Sequence, residues 1–203
     1  EQAINAAKRA ARLLGLLNLR PSTDDRSIEG FKSIACEIYE KVGVIDALFT
    51  FVTSASSLIG IGRAFLTLRD ALKALERMPE LHAVQAGCIT SIAEKFDQTD
   101  GPSRERSLVG DLGVRRTRRT EEAVSLIEES GGGGWIVSDD DIRRAMALLN
   151  QHGLDTSLEG GAALAGVMKA AQHRELGKVV CLLTGHASQR PLEEWETAVN
   201  PLN

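Results

Sequence analysis

The chain has 203 residues, 43% hydrophobic, 26% charged and 4% aromatic, with a net charge of −4. That balance describes a globular protein and excludes intrinsic disorder, while the acidic charge and few rings offer nucleic acid neither a basic field nor a stacking surface. No apolar run reaches the roughly 18 residues of a membrane span, and Cys36, Cys88 and Cys181 are odd in number, widely spaced and mostly in apolar runs, which suits reduced thiols in a cytoplasmic core. No signal peptide is expected from the opening residues. Because the first residue is glutamate, the N-terminus is expected not to be the point where translation begins.

In chain order, residues 3–15 are rich in Ala and Leu and predict a helix. The short "LLNLR" at 16–20 suggests a strand, and "RPSTDDRS" at 20–27 a loop in which Ser27 could cap the next helix. Ile28, Phe31, Ile34, Ala35, Ile38 and Val42 keep helical spacing up to Gly43. "LFTFVT" at 48–53 reads as a buried strand, and Leu58, Ile61, Phe65, Leu68, Leu72 and Leu75 mark one face of a long helix ending before Pro79. "LHAVQA" at 81–86 is the next strand, so strand, helix and strand follow as in a parallel crossover unit. Residues 97–120 are the least regular part, and Arg115, Arg116, Arg118 and Arg119 within them, with Glu121 and Glu122 close behind, read as a solvated or subunit-facing stretch. A helix is expected at 121–129, a turn at "SGGGG" 130–134, a short strand at "WIVS", helices at "DDDIRRAMALLNQ" and "EGGAALAGVMKAAQ", and a last strand at "VVCLLT" 179–184. Four histidines show no ligand spacing with the cysteines, so no metal site is expected.

The stretch "TFVTSASSLIGIGRAF" at 50–65 sets small hydroxyl residues between a strand and a helix. In open parallel sheets ligands sit beyond the carboxyl ends of strands, where a helix N-terminus offers free N–H groups and partial positive charge. Small residues admit a close backbone approach, and Ser54, Ser56 and Ser57 add hydroxyl donors suited to a phosphate. A plain helix cap by Ser56 or Ser57 accounts for the same residues. The Walker pattern and the G-x-G-x-x-G fingerprint are both absent.

"IEGFKSIACEIYE", "FVTSASSLIGIGRAF", "HAVQAGC", "SGGGGWIVSDDDI", "LEGGAALAGVMK" and "VVCLLTGH" fall in an order and spacing that resemble the rear part of the threonine synthase-like group of pyridoxal-phosphate enzymes, which have the tryptophan synthase β-like fold (fold type II). The resemblance implies that Thr53, Ser54, Ala55, Ser56 and Ser57 hold the cofactor phosphate, although this loop departs from the family's usual glycines. It implies that Thr184 of "LLTGH" faces the pyridine nitrogen, where a neutral partner leaves the ring unprotonated and favours elimination and replacement at the β or γ carbon. Glu159 and Gly160 match the "EGAA" turn lining the cofactor pocket. Asn18, Arg20 and Arg26 in "NLRPSTDDRSIEG" are candidates for reading a substrate phosphate.

The family's Schiff-base lysine stands on an upstream "SFKD"-type motif that this chain does not contain, so no catalytic residue is assigned. Lys32 in "GFKS" lies in a segment matching a later part of the family. The expected architecture is α/β, a three-layer parallel sheet flanked by helices, divided into a remnant of a smaller α/β domain (1–26), a linking helix (27–43) and a cofactor-phosphate-binding domain (44–203). The expected function is the rear portion of a lyase converting an amino acid, with O-phosphohomoserine to threonine as the leading reaction and pyridoxal 5'-phosphate as the cofactor the resemblance implies. The alternatives are a catalytically inactive fragment or domain that binds a phosphorylated ligand or a partner chain, and another enzyme of the same fold, such as a cysteine synthase or threonine dehydratase. Partners are expected to be a small amino-acid substrate and further copies of the chain, with no nucleic acid and no membrane.

Overall fold

The computed structural model describes residues 2–18, 24–87, 89–96, 107–109 and 117–186. Their centre is a four-stranded parallel sheet of β1 (Ala47–Phe51), β2 (Glu80–Ala86), β3 (Gly133–Val137) and β4 (Val179–Cys181), in the spatial order β3-β2-β1-β4. The register pairs Ala47 with both Glu80 and Val179, and His82 with Gly133. Helices are α1 (Gln2–Leu13), α2 (Arg26–Glu29), α3 (Lys32–Val42), α4 (Ser56–Leu66), α5 (Thr120–Ser130), α6 (Asp139–Gln151) and α7 (Leu158–Ala171).

All of β1 is buried, as a central parallel strand with helices on both faces must be. Leu48, Leu81 and Ala83 point into a core built with α3, α4 and α5, while Phe49, Phe51 and Val84 point into a second core with α6 and α7. The two cores follow from the connections. From β1 to β2 to β3 the chain advances across the sheet over α4 and α5, then returns past β1 to β4 over α6 and α7. Crossovers of one hand that run in opposite directions place their helices on opposite faces.

Several expectations shift for physical reasons. The linking helix at 27–43 is two helices broken at Gly30 and Phe31. There α4 crosses so closely that a Cβ on Gly60 would lie 2.6 Å from both the Ile28 carbonyl oxygen and the Phe31 Cβ. The long helix expected up to Pro79 stops its α-helical run at Leu66 and closes with a π-helical turn at Thr67–Ala71, in which Leu72 N–H donates to the Thr67 carbonyl at 3.0 Å. The extra residue per turn rotates Leu72 off the apolar face, leaving it 65% exposed, while Leu75 is buried. The glycine turn at 130–134 is shorter than expected because Gly133 and Gly134 are already strand. A Cβ on Gly134 would come within 2.5 Å of the Ala93 Cα, so only glycine allows that close approach.

Leu16–Asn18 are irregular and not strand, and the rest of "LLNLR" lies outside the described residues, as do Arg20, Cys88, Arg115 and Arg116. Leu13, Leu14, Leu16 and Leu17 are exposed. Cys36 is also exposed, contrary to its expected core position, whereas Cys181 is half-buried and burial pushes its thiol up to about 12. No described helix is long and apolar enough to cross a membrane, and no group of metal-ligating side chains occurs among the described residues.

Candidate functional site

The order β3-β2-β1-β4 places the point where the chain's progress across the sheet reverses between β1 and β4. Ligands of open α/β sheets bind beyond the strand ends at that point. Here it is formed by Val52–Ser57, leaving β1, and by Leu182–His186, leaving β4. The two segments are neighbours, since Leu182 N–H donates to the Phe49 carbonyl at 2.9 Å.

The first segment is held from beneath. Gln85, fully buried at the end of β2, donates through Nε2 to the Val52 carbonyl at 3.2 Å and accepts from the Ile92 and Ala93 amides at 2.9 and 2.8 Å. Its side chain therefore satisfies three backbone groups that a buried loop would otherwise leave unpaired.

Beyond Val52, α4 begins without a cap. Its N-cap residue is Ala55, in the left-handed region at φ 61° and ψ 9°, and among the described residues no side-chain cap closes the helix start. α6 is closed by a reciprocal capping box between Ser138 and Asp141, and α7 by Ser157, so the fold uses serine caps where they serve stability. The plain-cap reading of Ser56 and Ser57 is thereby removed. Ser54 and Ser56 set their hydroxyl oxygens 3.1 Å apart, and Ser56 and Ala55 are buried. Open amides, the positive end of α4 and three serine hydroxyls make a donor set that suits an anion.

The second segment is tied to the start of α7. Ser157, the cap of α7, accepts from Gly160 N–H at 3.4 Å and donates to the Thr184 carbonyl at 2.5 Å, with Thr156 Oγ1 adding a longer bond at 3.4 Å. The cap of α7, whose first turn carries Glu159, is thus tied to the Thr184 carbonyl. Thr184 is exposed, which leaves the end of β4 open to a ligand.

The remaining candidates are placed differently. Arg26 is exposed and its Nε lies 3.4 Å from Asp24. Asn18 is half-buried beyond α1. Lys32 forms an ion pair with Glu29 at 2.6 Å at the start of α3. Sequence reasoning missed Gln85, Ser157 and Thr117, whose Oγ1 donates to the Ser54 carbonyl at 3.1 Å. Only Ser157 carried a signal, as a serine immediately before an apolar helical run.

The family model for pyridoxal-phosphate dependent enzymes matches residues 1–185. The chain belongs to that family. Among solved structures, maize serine racemase is similar with a TM-score of 0.71 at 14% identity, covering 96% of this chain and 58% of that one. A pyridoxal 5'-phosphate-dependent aspartate racemase gives 0.70 at 18% identity, over 94% and 57%. A T.th. threonine deaminase gives 0.66 at 19% identity, over 91% and 65%. The chain therefore spans 57 to 65% of the length of these relatives. At such identities the likeness establishes the fold, the α/β sheet of fold type II. No curated protein sequence matches the chain. The relatives are racemases and a deaminase, so the family is fixed more broadly than the threonine synthase-like group that the motifs resemble. The family's cofactor is pyridoxal phosphate, and the donor set at 53–57 fits its phosphate.

Proposed function

We propose that this chain is the cofactor-phosphate-holding portion of a pyridoxal-phosphate-dependent enzyme that eliminates or replaces a group at the β or γ carbon of an amino acid, with O-phosphohomoserine to threonine as the leading reaction. The observation that carries this reading is the uncapped start of α4, with Ser54, Ser56 and Ser57 at the reversal point of the sheet. When bound, pyridoxal phosphate draws electrons from bonds to the substrate's α carbon. In this reading residues 53–57 hold its phosphate, and Thr184 offers a neutral hydroxyl to the ring nitrogen. Glu159 lines the pocket, and residues 1–26 belong to a smaller domain linked through 27–43 to the sheet domain from residue 44. The missing lysine motif means that the chain alone binds the coenzyme without the covalent link that turnover requires.

A second reading is supported by the structural relatives, among them a serine racemase and a threonine deaminase. It assigns the same site to elimination from a hydroxy amino acid. Ser57 is half-buried, and an aspartate there would set a negative charge against the phosphate. Titration with pyridoxal phosphate should show Ser57→Asp binding at least about tenfold more weakly than wild type, with Ser57→Ala near wild type and no borohydride-stable adduct on Lys32. Undiminished affinity in Ser57→Asp, or an adduct on Lys32, contradicts the proposal. Perturbation of the bound coenzyme's absorbance by O-phosphohomoserine, against L-threonine or L-serine, separates the two readings.

A further inference from the structure

We infer that Thr117 is a positioning residue for the anion site, acting through the orientation of a single peptide plane between Ser54 and Ala55. This inference rests on the reading that residues 53–57 hold the cofactor phosphate. Its starting point is the conformation of Ala55. Apart from glycines, Ala55 and Lys73 are the described residues with positive φ, and Lys73 is an exposed residue just beyond the π-helical turn. Ala55 is buried, and its Cβ disfavours the left-handed region. Something in the fold must hold it there.

A rotation of the Ser54–Ala55 peptide plane by half a turn changes ψ of Ser54 and φ of Ala55 together, and would return Ala55 to negative φ. The contact that opposes this rotation is specific. The Ser54 carbonyl, which belongs to that plane, accepts the Thr117 hydroxyl at 3.1 Å. Thr117 is itself fixed at the start of α5, where its oxygen Oγ1 accepts from Arg119 N–H at 3.2 Å and its carbonyl accepts from Thr120 Oγ1 at 2.9 Å. Arg119 is buried, and its Nη1 lies 2.8 Å from Asp25. The anchor is therefore a helix start tied into the body of the protein, 63 residues away in sequence.

In a trans peptide the N–H points opposite to the carbonyl. With the Ser54 carbonyl turned to Thr117, the Ala55 N–H is turned away from it, and no described residue accepts from that N–H. A flipped plane would withdraw this donor and present a carbonyl oxygen in its place, which repels an anion. The backbone preference against left-handed alanine and the net worth of one hydrogen bond are of the same order. Thr117 therefore decides which orientation is populated before any ligand arrives, and the anion binds a loop already set to receive it.

The test compares wild type, Thr117→Val, Thr117→Ser, Ala55→Gly and the double variant Ala55→Gly with Thr117→Val. The first readout needs no ligand: the intraresidue amide-to-α-proton coupling and nuclear Overhauser effect at residue 55 report the sign of φ in wild type and Thr117→Val. The second is the affinity for inorganic phosphate and pyridoxal phosphate. Thr117→Val should move Ala55 toward negative φ and weaken both ligands roughly three- to tenfold. Thr117→Ser, which keeps the hydroxyl, should behave as wild type. The double variant should bind as tightly as Ala55→Gly alone, since glycine has no preference for Thr117 to overcome. Unchanged φ and affinity in Thr117→Val overturn the inference, and so does a double variant as impaired as Thr117→Val. Failure of both valine variants to fold would show that Thr117 supports the whole domain instead of one peptide plane, and overturns it too. A wild type that binds neither ligand refutes the phosphate site, yet the φ readout still decides whether Thr117 holds the plane.

Discussion

At the scale of single residues, Ala55 is where the sequence and the conformation disagree. Its left-handed backbone is one that glycine adopts without penalty, and a Cβ there disfavours it by about 1–2 kcal/mol. Glycine also gains more freedom in the unfolded chain, which returns part of that difference. Ala55→Gly should therefore stabilise the protein by about 0.5–1 kcal/mol, raising Tm by about 1–4 °C for a chain of this size. Calorimetry on the two proteins checks this, and a lower Tm in the glycine variant would mean that Ala55 is not strained. The hydroxyl-rich loop was legible in the sequence because Ser54, Ser56 and Ser57 follow an apolar strand directly. Its helper Thr117 was not, because a side chain that bonds a backbone carbonyl 63 residues away leaves no local pattern.

At the scale of elements, helices and strands with strong periodicity were legible, and their ends were not. α6 was read from its sequence over its full length because three acids suit its first turn, while its Ser138 cap reads in the sequence as the end of the strand before it. The π-helical turn after α4 and the break between α2 and α3 escaped notice because tertiary packing at Gly60 and around Leu75 sets them. The amino end of the sheet carries a feature that periodicity cannot show. His82 on β2 is buried and stacked on Phe49 of β1, with ring centroids 4.2 Å apart. Its Nδ1 accepts from Trp135 Nε1 of β3 at 3.2 Å, which assigns the proton to Nε2, facing Glu80 at 3.2 Å. Arg174, beyond α7, pairs with Glu80 and lies 3.2 Å from Nε2, and His173 stacks on Trp135. Burial, aided by the Arg174 charge and opposed by Glu80, pushes His82 down to about 4. The unfolded chain binds this proton near pH 6.5, so between there and about pH 4 it holds more protons than the folded one. Stability is then complete above pH 6.5 and declines as pH falls toward 4, by up to about 1.4 kcal/mol per pH unit. Urea midpoints measured from pH 7 to pH 4.5 should fall in wild type and stay flatter in His82→Gln. Parallel pH profiles would show that His82 is not the group being protonated.

At the scale of the whole molecule, the sheet order decides where function is sought, and strand order cannot be read from one sequence. The strands alternate with helices legibly enough to give a parallel α/β fold, but the position of β4 beside β1 depends on which edge the chain returns to. That return sets β4, from which the Thr184 segment leaves, next to β1, from which the serine loop leaves, although 127 residues separate Thr184 from Ser57. The family resemblance implied that both segments serve one cofactor, because its motifs stand in register along the chain. In the proposed function the chain grips pyridoxal phosphate by its phosphate at residues 53–57, without a covalent link. The most direct measurement is equilibrium binding of pyridoxal phosphate against pyridoxal, which differ only in that group. The phosphate ester should bind at least about tenfold tighter than pyridoxal, with free inorganic phosphate competing for the site. Equal affinity for the two, or no competition by phosphate, would contradict it.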